Sequence, residues 1–145
     1  MYLEKADLET DPRFRQAIPY VVVTSDGMTL SYQRKGSEDR LHAFRSIGIG
    51  GHVEEPETVE HGMLRELREE IGIVVDIERI KWHGFILLSE TEVDKVHMGV
   101  VYSYDVGDQE LHFGEEIRDP QWIDMLGDRY EPWSIEAWKM INGQA

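Results

Sequence analysis

Two hydrophobic rhythms divide the chain. Ile18 to Thr24 (IPYVVVT) is an almost unbroken apolar, largely β-branched run, the pattern of a buried strand. Ser25-Asp26-Gly27 interrupts it with turn chemistry, and Met28 to Arg34 (MTLSYQR) alternates as the return strand of a hairpin. Lys35 to Arg45 is polar and loop-like, with Gly36-Ser37-Glu38-Asp39 at its tip. Ser46 to Val53 (SIGIGGHV) reads as a short strand entering a glycine-rich loop. The rhythm then changes. Val59, Met63, Leu64, Leu67 and Ile71 recur at helical spacing and predict a helix over about 56–71, with Pro56 near its first position and Gly72 as its stop. Val74 to Leu88 supplies one or two strands bent at His83-Gly84, Ser89 to Lys95 a turn, and Val96 to Val106 a long strand. Glu110 to Phe113 and Gln121 to Met125 are shorter strand candidates. Pro132 near N1, followed by Trp133, Ile135, Trp138 and Ile141, predicts a C-terminal helix over about 132–142, with both tryptophans packed in the core. Residues 1–16 carry little pattern and are expected to form a lead-in segment. The order implies an α/β (mixed) class, a mixed sheet with helices on its faces, in one domain of residues 1–145.

Composition narrows the partners. A chain of 145 residues with 41% hydrophobic content can bury a real core. The absence of cysteine excludes disulfides, thiolate zinc sites and a cysteine nucleophile, and it fits a reducing, cytoplasmic setting. The charged opening MYLEKADLETDPRFRQ is not the pattern of a signal peptide. No apolar run approaches the roughly 20 residues of a membrane span. The net charge of −14, from 15 basic and 29 acidic residues, opposes duplex DNA or RNA and anionic membranes at long range. A small phosphorylated substrate remains compatible, provided that cations neutralise the site.

The acidic residues of the first helix need an explanation. Glu66 lies one turn from both Glu69 and Glu70, so three carboxylates share a face near a helix C-terminus, where the dipole disfavours negative charge. The Glu66/Glu70 repulsion alone costs about 0.2–0.5 kcal/mol. Arg65 can offset part of this through Glu69, in the weaker Arg-before-Glu orientation. A hard cation such as Mg2+ would turn the repulsion into attraction.

The stretch from Gly51 to Ile73, GHVEEPETVEHGMLRELREEIGI, has fixed points at Gly51, Glu57, Arg65, Glu66, Leu67, Glu69, Glu70, Gly72 and Ile73. At every defined position it resembles the Nudix box. The resemblance implies an α/β/α sandwich and a Mg2+-dependent hydrolase, with Mn2+ as a substitute, that cleaves the diphosphate linkage of a nucleoside diphosphate derivative by metal-activated water. It implies that Glu66 and Glu70 ligate metal directly, and that Glu69 ligates, bridges metals or acts as the base. It further implies a metal ligand in the backbone carbonyl of Gly50, an orienting role for Arg65 and a structural ion pair for Glu57. Ile49 stands where the family commonly has proline, a departure that leaves the box intact. Members often add a carboxylate from a later loop. Glu116, with Glu115 beside it, is the best candidate, and Glu90, Glu92 and Asp94 are its rivals.

Outside the box the sequence leaves alternatives open. Arg34, Lys35, Arg40 and Arg45 form a local basic excess, and Arg34 and Arg45 are candidates for substrate phosphates, with ordinary surface pairing as the alternative. His52 is a weaker candidate for touching substrate or metal. Tyr20, Phe44, Trp82, His83 and Tyr102 could stack on a base or belong to the core. A homodimer is compatible with the sequence. The competing function is a non-catalytic module that senses a nucleotide on the same fold. The isopentenyl diphosphate isomerase branch is disfavoured because it uses a cysteine.

Overall fold

The structure is a computed structural model that describes residues 16–35, 44–54, 56–89 and 97–143. In chain order its strands are β1 (Gln16–Ser25), β2 (Met28–Arg34), β3 (Arg45–Ser46), β4 (Gly48–Ile49), β5 (Ile80–Ile86), β6 (His97–Asp105) and β7 (Ile117–Ile123). Its helices are α1 (Val59–Ile71) and α2 (Pro132–Asn142), and a 3-10 turn spans Ile77–Arg79. The seven strands make one mixed sheet. β6 runs parallel to β1 from Gln16–His97 to Thr24–Asp105, and the other pairings are antiparallel.

The apolar run of β1 is buried on both faces because a helix covers each side. Val21 and Val23 join Leu30, Val100 and Tyr102 beneath Met63, Leu67 and Ile71 of α1. Tyr20 and Val22 join Ile86 and Val101 beneath Ala137 of α2, where Trp133 and Trp138 pack against the same cluster. Each fully buried aliphatic side chain contributes about 1.5–3 kcal/mol, so these two layers anchor the sheet. The arrangement is the mixed-sheet α/β/α sandwich expected from the sequence.

The predicted hairpin forms but does not stay closed. Asp26 and Gly27 turn the chain at positive φ, and β1 and β2 pair only at Thr24–Thr29 and Ser25–Met28. The strands then part. β4 occupies the opening on the β1 side and β3 on the β2 side. The one short strand expected to enter the glycine-rich loop within 46–53 is therefore two, Arg45–Ser46 and Gly48–Ile49, with the site at the mouth of the opening.

Other boundaries move for local reasons. α1 starts at Val59, three residues after the predicted Pro56, because Thr58 is the better cap: its backbone is extended and its hydroxyl accepts the His61 N–H at 3.1 Å. The bend at His83 is a bulge, since Trp82 faces Tyr102 and Gly84 faces Val101. Glu110 to Phe113 is not a strand. β7 begins earlier than the expected 121, at Ile117, and Asp119 and Pro120 occupy a bulge opposite Tyr32, a position that tolerates proline's missing N–H. The proposed lead-in and the rivals Glu90, Glu92 and Asp94 lie outside the described residues, apart from Gln16 itself, as do the loop tip at 36–39 and Arg40. Among the described residues, no helix is long and apolar enough to cross a membrane.

Candidate active site

A cleft of about 290 Å³ opens where β1 and β2 separate, lined by Tyr32, Arg34, Lys35, Gly50, Glu66, Glu70 and Glu116. α1 supplies the two glutamates from the face it turns toward the sheet. Glu66 is only 8% exposed and, as buried carboxylates usually are, is paired, here with Arg65 at 3.1 Å. Gly50 reaches the cleft by pressing its backbone onto β1. A Cβ there would lie 1.8 Å from the Pro19 carbonyl oxygen, so no other residue fits without moving the strand.

Glu116 arrives by a strap. The His112 N–H donates to the Ile71 carbonyl at 2.9 Å and the Gly114 N–H to the Glu70 carbonyl at 2.8 Å. These bonds satisfy two open carbonyls at the end of α1 and lay the following acids against it. Lys35 holds the other side, its N–H donating to the Glu116 carbonyl at 3.1 Å. Glu115 instead points to solvent, 3.5 Å from the Lys35 ammonium.

The electrostatics are unbalanced in one direction. Burial, reinforced by the charges of Glu66, Glu116 and Glu69, pushes the Glu70 carboxyl up to about 7. Its Oε2 is buried and has no hydrogen-bond partner. Burial also raises Glu66, against the pull of Arg65. Arg65 is the local counterweight. Its Nε donates to Glu57 Oε2 at 2.8 Å, its Nη1 to Glu66 Oε1 at 3.1 Å and Glu69 Oε2 at 3.3 Å, and its Nη2 to the His52 carbonyl at 3.1 Å. The bond from Arg65 holds Glu57 below the usual carboxylate range.

The expected site residues thus separate into groups. Gly50, Glu66, Glu70, Glu116 and Arg34 come together on the cleft. Arg65 and Glu69 stand beside it, with the Glu69 side chain 52% exposed. Arg45 lies outside the cleft lining. It is held by Asp119 at 2.9 Å and by the Ser31 hydroxyl at 2.8 Å. His52 bonds Gln16 at 3.1 Å and packs edge-on against His97. Tyr20 and Tyr102 are core residues, Phe44 and Trp82 are exposed, and His83 bonds Ser103. The aromatic residue that does line the cleft is Tyr32, which sequence reasoning did not single out. Its alternation in β2 marked it only as facing one side of a sheet.

These acids are suited to a hard divalent cation. Oxygen donors of like charge converge, one buried oxygen is unsatisfied, and a backbone carbonyl position lies among them. The donors are not drawn together into a ready-made cage, since among the described residues no three Asp, Glu or His side chains reach that spacing. Glu66 and Glu69 are held by Arg65 instead.

Comparison with known proteins places this arrangement. A profile of the NUDIX domain matches residues 13–133. Protein YmaB of Bacillus subtilis is 38% identical over 109 residues, 68% of this chain and 53% of its own length. The oxidized purine nucleoside triphosphate hydrolase of Danio rerio is 38% identical over 106 residues, 72% of this chain and 64% of its own. The chain thus spans between half and two thirds of the length of these curated relatives. The crystal structure of Tm1382, attributed to the Nudix hydrolases, superposes with a TM-score of 0.71 at 26% identity, covering 98% of this chain and 79% of that one. With an intact box on a matching fold and a profile match over most of its length, the chain belongs to the Nudix family.

Proposed function

We propose that this chain is a pyrophosphohydrolase that cleaves the diphosphate linkage of a nucleoside diphosphate derivative, with Mg2+ as its cation and Mn2+ as a substitute. One observation carries this reading: Glu66, Glu70 and Glu116 line one cleft together with Arg34 and Lys35. Acids for a cation and cations for phosphate oxygens in one cleft match a cation-bound diphosphate, and a pure ion-pair network would not leave a Glu70 oxygen buried and unpartnered.

In this reading Glu66, Glu70 and the Gly50 carbonyl would hold the cation. When bound, it neutralises the diphosphate and lowers the pKa of a water. The chain's own groups perform the remaining work. Arg65 keeps Glu66 and Glu69 from swinging away, through bonds to both. Arg34 and Lys35, both lining the cleft, take phosphate oxygens. Glu116 accepts the proton of the attacking water, and Glu69 is its rival for that role. The strap holds Glu116 toward Glu70, which makes it the better placed of the two.

The test is turnover. Purified protein with Mg2+ is incubated with nucleoside triphosphates, their oxidised purine forms, nucleotide sugars, ADP-ribose, dinucleoside polyphosphates and capped RNA, and products are identified. The oxidised purines enter because of the activity named for the Danio rerio relative. Cleavage at a diphosphate that disappears in Glu70→Gln is the expected result. Robust turnover unchanged in that variant would overturn the assignment.

A further inference from the structure

Arg34 belongs to two environments. Its side chain is 44% exposed at the cleft wall, yet it also reaches the cluster beneath the second helix. There Glu131, the residue before Pro132 at the head of α2, accepts from Arg34 Nη2 at 3.1 Å and from Nε at 3.4 Å. Glu131 is itself fixed. The Tyr20 and Ser46 hydroxyls each donate to its Oε1 at 2.7 Å. Tyr20 is locked in turn by a 2.7 Å bond with Ser134 and by the edge-on ring of Trp133. On the cleft side the guanidinium lies 5.7 Å from the Tyr32 ring centroid, and the Tyr32 hydroxyl donates to the Gly48 carbonyl.

This is more order than a surface ion pair has. Exposed pairs usually contribute little, because holding two long side chains in one geometry costs entropy. Here a carboxylate just before α2, held by two hydroxyls, engages the Nε/Nη2 edge of the guanidinium, and an aromatic ring supports its face. An arginine side chain has many rotamers, and much of that freedom is lost when it binds a ligand. A guanidinium already aligned avoids most of that loss on binding.

We propose that Glu131 is a positioning residue for Arg34, aligning its guanidinium at the cleft so that the head of α2 sets the enzyme's affinity for the substrate's diphosphate. The proposal rests on the reading above, in which Arg34 takes a phosphate oxygen. Glu131 never touches substrate. Its effect falls on binding of the diphosphate and leaves the attacking water and its base untouched.

The experiment is a double-substitution cycle read by binding. Methylenediphosphonate, a diphosphate that cannot be hydrolysed, is titrated calorimetrically with Mg2+ into the wild-type chain, Arg34→Gln, Glu131→Gln and the double variant. Arg34→Gln is expected to weaken binding about tenfold or more, the loss of a charge-assisted contact. Glu131→Gln is expected to weaken it several-fold, and to add nothing in the Arg34→Gln background. With a turned-over substrate, Glu131→Gln raises KM and leaves kcat nearly unchanged, a split that general loss of folded protein would not produce. Glu131→Asp keeps the charge with a shorter reach and gives a second reading in a less disturbed network, with partial loss expected. Wild-type affinity in Arg34→Gln, wild-type affinity in both Glu131 variants, or effects of the two substitutions that multiply independently, would each overturn the proposal. Absence of turnover in the wild type, alongside a coupled loss of diphosphonate binding, would remove the hydrolase reading and leave the positioning role standing.

Discussion

Glu70 is surrounded by other acids, with one of its oxygens buried and unbonded. Such a residue is costly to the empty fold and useful only to something that brings positive charge. Glu70→Gln is therefore expected to lower turnover at least about a hundredfold, since metal stabilisation of the reacting phosphate is worth several kcal/mol. The melting temperature of the metal-free protein should stay level or rise. A large fall in that temperature would mean that Glu70 serves the fold. Glu131 behaves in the opposite way. Burial alone would raise its carboxyl, but the Arg34 charge and the bonds from Arg34, Ser46 and Tyr20 hold it below the usual range. A depressed carboxyl stabilises the fold fully above its unfolded pKa, about 4.3, and loses that contribution as pH falls through its folded value. The stability gap between wild type and Glu131→Gln, measured by urea unfolding, should be constant from about pH 5.5 to 7.5 and shrink below about pH 4.3. A gap that widens in acid would reverse the assignment.

At the scale of elements, α1 is specified locally and delivered globally. Its start is a side-chain cap, so Thr58→Ala is expected to cost about 1 kcal/mol, or about 2–4 °C in melting temperature, with kcat and KM unchanged. Its end is occupied by the strap. A Cβ on Gly114 would lie 2.7 Å from the Glu69 carbonyl oxygen, so Gly114→Ala must push the strap off the helix. The stability loss should be about 1–3 kcal/mol. Activity, assayed well below the melting temperature, should fall toward that of Glu116→Gln, which on the proposed reading removes a base worth about 10²–10⁴-fold. Full activity in Gly114→Ala would show that the placement of Glu116 does not matter. Much of this element was legible in the sequence. The apolar stripe, the acids and the Gly72 stop are all there, while the start differs because Pro56 gives a signal two residues before the hydroxyl that caps the helix.

For the whole molecule, which carries a charge of −14, the proposed divalent cation would stabilise the fold by binding it as well as serve the reaction. Mg2+ at a hundredfold excess over its Kd should add about 2.7 kcal/mol to the metal-free protein. A thermal shift series in Mg2+ after chelation checks this, and Glu70→Gln should flatten the series. Equal shifts in the two proteins would mean that the ion binds elsewhere on the acidic surface.

The sequence by itself determined what acts over a few residues. The β-branched run of β1 required cover on both faces, the 3.6-residue period required α1, and Pro132 and its apolar neighbours required α2. The box spacing brought Glu66 and Glu70 to one face. Tertiary structure decided what joins residues far apart in the chain. The parting of β1 and β2 opens the cleft, because β3 and β4 take the hydrogen bonds that a closed hairpin would have used. The strap from Gly114 to Glu70 brings Glu116 to the cleft in place of Glu115. Arg34 faces the cleft and Arg45 does not, a distinction invisible in two arginines of one basic stretch, because their partners Glu131 and Asp119 lie 97 and 74 residues away. Helical period, strand alternation and capping are short-range and leave a mark in local sequence. A pairing across 97 residues depends on how whole elements pack, and no local pattern encodes it.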